Sequence, residues 1–252
     1  MFDHLSIPAV LISYVALLFS LCVHEASHAA AAYWLDDDTA ARMGRMTLNP
    51  LAHMDPIGTF LFPLLGMFTG LPFIGWAKPV PVDGSRLTRR FSMRAGFAMV
   101  ASAGPLSNLL QAVVFFPVLA LLVRASTPDL FSRVYIFKVA AFDWSSGVVD
   151  ALRTVGLGNV QTLFLALLGR LVMINLLLAL FNLLPLGPLD GAGILRGVVP
   201  VAWTSRLDRY QPYMFIVILV LAFSGLLGYI ISPAIHLAYY LLIPLANYIL
   251  GA

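Results

Sequence analysis

His24-Glu25-Ala26-Ser27-His28 sets two imidazoles four residues apart, with a carboxylate beside the first. On a helix, positions i and i+4 share a face. Both imidazoles can then hold one metal ion while the neighbouring carboxylate handles protons. The surroundings are unusual for this chemistry. Residues 8–35 form an apolar run of 28 residues in which Glu25 is the one formal charge. Ionisable groups in a stretch long enough to cross a bilayer are costly, and they mark functional sites.

A catalytic zinc centre commonly takes three protein ligands and keeps one position open. The inventory for the third is short. Glu25 is the only glutamate in the chain, so a second glutamate cannot complete the set. A histidine six residues beyond His28 is excluded as well, because that position is Trp34. His4, His53 and His236 are the remaining histidines. Most aspartates lie in polar loops. Asp190 instead follows an apolar helix, stands between Pro188 and Gly191, and precedes the apolar residues 192–195. Irregular backbone at membrane depth is tolerated where it lines a protein cavity, and a carboxylate there most plausibly faces a cation. The expected metal set is therefore His24, His28 and Asp190, holding one zinc ion per chain. Cys22 is two residues from His24, a spacing that points it off the ligand face, and it reads as packing.

These residues must be positioned by a membrane protein. The chain has 252 residues, is 60% hydrophobic with mean hydropathy +0.91, and only 11% of it is charged. A soluble domain carries roughly 25% charged residues. The apolar runs are continuous rather than alternating, which excludes a β-barrel and predicts an all-α multi-pass protein. The net charge of +3 comes from arginines scattered among loops, with no basic stripe for nucleic acid. The first run is too long for the core of a cleavable signal peptide. One domain, 1–252, is expected, with a catalytic core over about 8–195 and a helical pair over about 212–250 that turns at Ser232-Pro233. Residues 124–160 read as a mixed surface loop.

Residues 57–74 are apolar but carry Pro63, Gly66, Gly70 and Pro72. Positive charge decides between a full crossing and a re-entrant segment. If residues 57–74 are re-entrant, ten basic residues fall on the side reached after Leu35 and four on the other. If they cross, the split is eight against six. The positive-inside rule favours the re-entrant model, with five spans, an external N-terminus, and the metal site near the cytoplasmic face. Lys78-Pro79-Val80-Pro81-Val82 follows, and its alternate prolines predict an extended, edge-like segment.

The chain resembles the site-2 proteases, the zinc intramembrane metalloproteases, on three elements. These are His24-Glu25-x-x-His28, Gly104-Pro105-x-x-Asn108, and Asn182-Leu183-Leu184-Pro185 leading into Leu189-Asp190-Gly191. Residues 44–50 and 75–82 are similar to the compact bacterial branch, which lacks PDZ or CBS domains. The resemblance implies a three-helix catalytic core in the inner membrane and hydrolysis of transmembrane protein substrates within the lipid bilayer. It implies Glu25 as the proton carrier. Asn108 and Asn182 become candidates for stabilising an oxyanion or holding substrate backbone, and Lys78, Val80 and Val82 for pairing with an unwound substrate strand. Two other readings of the same residues are a cation transporter and a catalytically silent zinc-binding adaptor. No internal duplication of the kind common in transporters is visible, and intact Glu25 argues against a silent adaptor.

Overall fold

The computed structural model describes residues 7–69, 75–88, 90–142 and 147–252. The described residues form helices and no strand. In order they are α1 (Ile7–Trp34), α2 (Thr39–Arg42), a 3-10 turn (Pro50–Ala52), a π-helical turn (Pro56–Leu61) continuing as α3 (Phe62–Thr69), α4 (Met93–Ser126), α5 (Leu130–Phe142), α6 (Val148–Arg153), α7 (Asn159–Asn182), α8 (Asp190–Val198), α9 (Val201–Phe223) and α10 (Leu226–Leu250). Among them α1, α4, α7 and α10 are long and apolar enough to cross a membrane. The all-α, multi-pass architecture read from the apolar runs is the one observed.

Two features of the sequence reading need correction. The final helices turn at Ser224-Gly225, where Gly225 takes φ +77°, and Pro233 lies inside α10 rather than at a turn. Glycine pays no Cβ penalty in the left-handed region and so ends α9 first. By length and composition α9 does not join those four, because Arg206, Asp208 and Arg209 occupy its first half. Residues 124–160, expected as a loop, instead contain α5 and α6, which bury Ile136, Phe137, Val149 and Leu152. Trp144 lies outside the described residues. The π-turn and α3 contribute six and eight residues. At 1.5 Å per residue that apolar helix is about 21 Å long, short of a hydrocarbon core of about 30 Å. Residues 70–74 of the same run lie outside the described residues.

The chain divides into two compact units. One comprises residues 1–20, 109–177 and 233–252. Its core is aliphatic and aromatic, with Phe116, Leu119, Val123, Ile136, Leu152, Leu165 and Val172 fully enclosed. Two polar groups inside it are held by hydrogen bonds: Tyr239 donates to Ala141 O (3.0 Å), and Asn175 bonds Ser20 (2.9 Å). Arg124 and Arg133 donate to Ile249 O and Leu250 O, filling acceptors that the last turn of α10 leaves open.

The other unit comprises residues 21–108 and 178–232, and it carries the residues singled out above. Two helix endings organise it. At the end of α1, Asp36 takes φ +71°, Asp36 N bonds Tyr33 O (3.1 Å) and Asp37 N bonds Ala32 O (2.9 Å). At the end of α2, Gly44 takes φ +67°, Gly44 N bonds Ala41 O (3.0 Å) and Arg45 N bonds Ala40 O (2.8 Å). Both are Schellman endings, in which one left-handed residue closes the helix and fixes the exit direction of the next. They deliver Asp37 and Arg45 into buried positions. α8 lies against α4 through small residues: a Cβ on Gly193 would stand 3.0 Å from that of Ala101, and one on Gly197 would collide with Ala98. Arg94, on α4, donates to Arg196 O and Val199 O at the far end of α8.

Candidate metal centre

α1 presents His24 and His28 one turn apart, and α8 presents Asp190 as its first residue. Their ligating atoms converge. His24 Nε2 and His28 Nε2 are 3.1 Å apart, His24 Nε2 is 3.1 Å from Asp190 Oδ2, and His28 Nε2 is 3.3 Å from Asp190 Oδ1. Ligands of a tetrahedral zinc at about 2.0–2.1 Å from the metal stand about 3.3 Å from one another. Among the described residues this is the one group of histidine, cysteine and acidic side chains that converges in this way.

The far side of each ring sets the chemistry of the near side. His24 Nδ1 lies 2.5 Å from Asn108 Oδ1, and His28 Nδ1 lies 2.7 Å from Val100 O. Both oxygens only accept, so each Nδ1 carries the hydrogen, and each ring in its neutral form turns a lone pair inward through Nε2. Asp190 Oδ2 is buried and receives no hydrogen bond among the described residues. Three electron-rich groups thus face one another in a site where His24 and His28 are buried. They repel unless a cation lies between them, so the donor set fits zinc. Hydrogen bonds from the outer ring nitrogens to an amide and a carbonyl are the usual support of zinc-bound histidines.

Gly104 explains how α4 comes so close. A Cβ there would stand 2.6 Å from His24 Nε2 and closer still to His28 Nε2. The backbone of α4 at Gly104 forms one wall of the histidine pair. Its position four residues before Asn108, one turn of helix, was the available signal.

Glu25 is buried beside the pair, and its Oε2 accepts from Val80 N (3.2 Å). Val80 belongs to the stretch 75–83, which lies outside any helix or strand. It is tied down along its length. Trp76 N bonds Gly58 O (3.1 Å), Lys78 N bonds His53 O (2.9 Å), and Asp83 N bonds Asp37 Oδ2 (2.8 Å). Ser85, through its hydroxyl and amide, holds the exposed Asp83 carboxyl below the usual range. Of the residues expected to pair with substrate, Lys78 and Val80 have their amides engaged within the chain. The Val82 amide has no partner among the described residues.

The site opens onto a cavity of about 470 Å³ whose walls include Leu21, Phe97, Leu178, Phe181 and Phe215. Asn182 stands on this wall, with its Nδ2 bonded to Leu178 O (3.0 Å) one turn back. Asn108 does not reach the wall; it buttresses His24. Asp55 caps the π-turn through Ile57 N and Gly58 N, and His53 Nε2 bonds Thr47 O (2.8 Å), so both order the loop. Cys22 is buried and His236 is exposed on α10, both apart from the cluster. His4 lies outside the described residues.

The model of peptidase family M50 matches residues 12–225, the greater part of the chain and all of the site. The chain belongs to peptidase family M50. The resemblance to site-2 proteases drawn from the three motifs is therefore borne out, and the protein is an integral membrane member of that family. Among relatives, it is 36% identical over 224 residues to Bacillus subtilis "Putative zinc metalloprotease YwhC", covering 88% of this chain and 84% of that one. It is 29% identical over 220 residues to "Putative zinc metalloprotease Rip2" of Mycolicibacterium smegmatis, covering 87% of this chain and 66% of the relative. The Mycobacterium tuberculosis H37Rv protein of the same name is 28% identical over 204 residues. No solved structure matches the chain.

Proposed function

We propose that this M50 protein is a zinc-dependent intramembrane endopeptidase that cuts peptide bonds in or near transmembrane segments of other membrane proteins. The observation that carries this reading is the inward convergence of two histidine lone pairs and the Asp190 carboxylate at 3.1–3.3 Å, beside the buried Glu25. His24, His28 and Asp190 would hold one zinc per chain, which supplies the Lewis acidity that lowers the pKa of water and polarises a carbonyl. Glu25 takes a proton from the attacking water and later returns it to the leaving amine. One Glu25 oxygen is held by Val80 N–H, leaving the other for this transfer. Asn108 fixes the tautomer and angle of His24. Asn182 keeps a second amide hydrogen for a substrate carbonyl.

Away from the His24, Glu25, His28, Asp190 and Asn182 side chains the cavity walls are apolar and match a lipid-embedded segment. A helical substrate has its amides bonded internally and must loosen before attack; the Val82 amide and the carbonyls of 80 and 82 suit pairing with the freed strand. The charge distribution supports a bacterial inner-membrane location with the site toward the cytoplasm. The test is reconstitution in lipid vesicles with a transmembrane substrate, comparing the intact protein with Glu25→Gln. Loss of cleavage with zinc retained is the expected result. Equal cleavage by both proteins would sink the mechanism.

A further inference from the structure

Arg45 is buried, and among the described residues no carboxylate comes within ion-pair distance of it. A buried charge without a counter-ion is costly unless its donors are filled. Backbone fills part of this need: Arg45 Nη2 donates to Lys78 O (2.5 Å) and Pro79 O (3.3 Å), while the buried Nε has no partner among the described residues. The next amide along the segment is Val80 N–H, the group that reaches Glu25 Oε2 at 3.2 Å. Pro79 has a fixed φ, and Pro79 C=O and Val80 N–H belong to one planar peptide, so the two carbonyls and the amide that follows them are held at a preset spacing. The root of Arg45 is equally fixed, one residue past the left-handed Gly44.

The geometry points to Arg45 as a positioning residue for the proton carrier: it grips the Lys78–Pro79 carbonyls so that Val80 N–H holds one oxygen of Glu25 and frees the other for the cleft. This rests on the reading of Glu25 given above. One guanidinium nitrogen, Nη2, spans the two successive carbonyls; an ammonium could donate to both but ends a shorter side chain, so lysine is only a partial substitute.

Glu25 is the only glutamate in the chain, which permits a direct test. Full-length protein made by cell-free synthesis with carboxyl-¹³C glutamate, in lipid, gives one isotope-edited carboxylate band in the infrared. Arg45→Ala is expected to move that band while zinc stays at one per chain. It should lower kcat about 10- to 100-fold with KM within about threefold, the signature of a misplaced reacting group. Arg45→Lys should recover part of both effects. Val80→Pro, which deletes the amide donor and leaves Arg45 in place, should move the band in the same direction, and it decides the matter if Arg45→Ala does not fold. An unmoved band in Val80→Pro, or an unmoved band in a folded Arg45→Ala, overturns the proposal. So does an Arg45→Ala enzyme with raised KM and intact kcat, which would assign Arg45 to substrate binding. The band is read without substrate, so a wild-type protein that cleaves nothing sinks the protease reading and leaves this result standing by itself.

Discussion

Gly104→Ala adds one methyl group where α4 meets the histidine pair. The new Cβ would lie 2.6 Å from His24 Nε2 and nearer to His28 Nε2. Non-bonded carbon contacts settle at about 3.5–4.0 Å, so the rings or the α4 backbone must retreat by about 1 Å. As overpacking this costs about 1–3 kcal/mol, which a multi-helix protein can survive. A metal site is less forgiving, because its ligand distances hold to about 0.2 Å. The two Nε2 atoms and the Asp190 carboxylate oxygens nearest them now stand 3.1–3.3 Å apart, and opening that cluster removes at least one ligand from reach of a shared ion. The expected result is zinc affinity at least about 100-fold weaker, as for loss of good ligand placement, with helicity unchanged. The assay is zinc content by mass spectrometry after dialysis against graded chelator, with circular dichroism and gel filtration as fold controls. Cleavage of a reconstituted substrate should fall in parallel and recover with excess zinc. If Gly104→Ala holds zinc against chelator as the wild type does and cleaves within about threefold of it, close backbone approach is not what shapes the centre.

Two further outcomes follow from the same contacts. Asn108→Ala removes the acceptor of His24 Nδ1–H; zinc affinity should drop about 10- to 100-fold, and an undiminished affinity in the chelator titration would show that the His24 ring needs no such support. Asp36→Gly relieves a left-handed aspartate at φ +71° and removes a negative charge from the C-terminal end of α1, so thermal unfolding in detergent should show a gain of about 0.5–1 kcal/mol. A lowered midpoint would contradict it.

The three residues proposed as ligands were legible because metal chemistry restricts both residue type and spacing. His24 and His28 advertise themselves at i, i+4, and a chain with one glutamate leaves few acids to choose from. Asn108 was noticeable as a polar group in an apolar helix, but its partner was not, since an amide can serve a ring nitrogen or a substrate equally well. Arg45 and Asp37 were hidden for another reason: they act on backbone carbonyls and amides, which every residue possesses and no sequence pattern records. The late turn was misplaced because proline was given priority over glycine, whereas Pro233 is carried inside α10. Residues 124–160 were read by their polarity, although α5 and α6 each bury one apolar face.

The two Schellman endings also restrict how the length of this chain can vary. Eight residues lie between His28 and Asp37, and six of them are in α1. Inserting one residue there would turn everything downstream by about 100° and advance it by about 1.5 Å. Asp37 would swing away from the Asp83 amide, and α2 would carry Arg45 off the carbonyls it grips. An insertion between Arg45 and Pro50, outside any helix, imposes no such rotation. Homologues should therefore keep an invariant count from His24 to Arg45 even where side chains differ, and place their insertions and deletions after it.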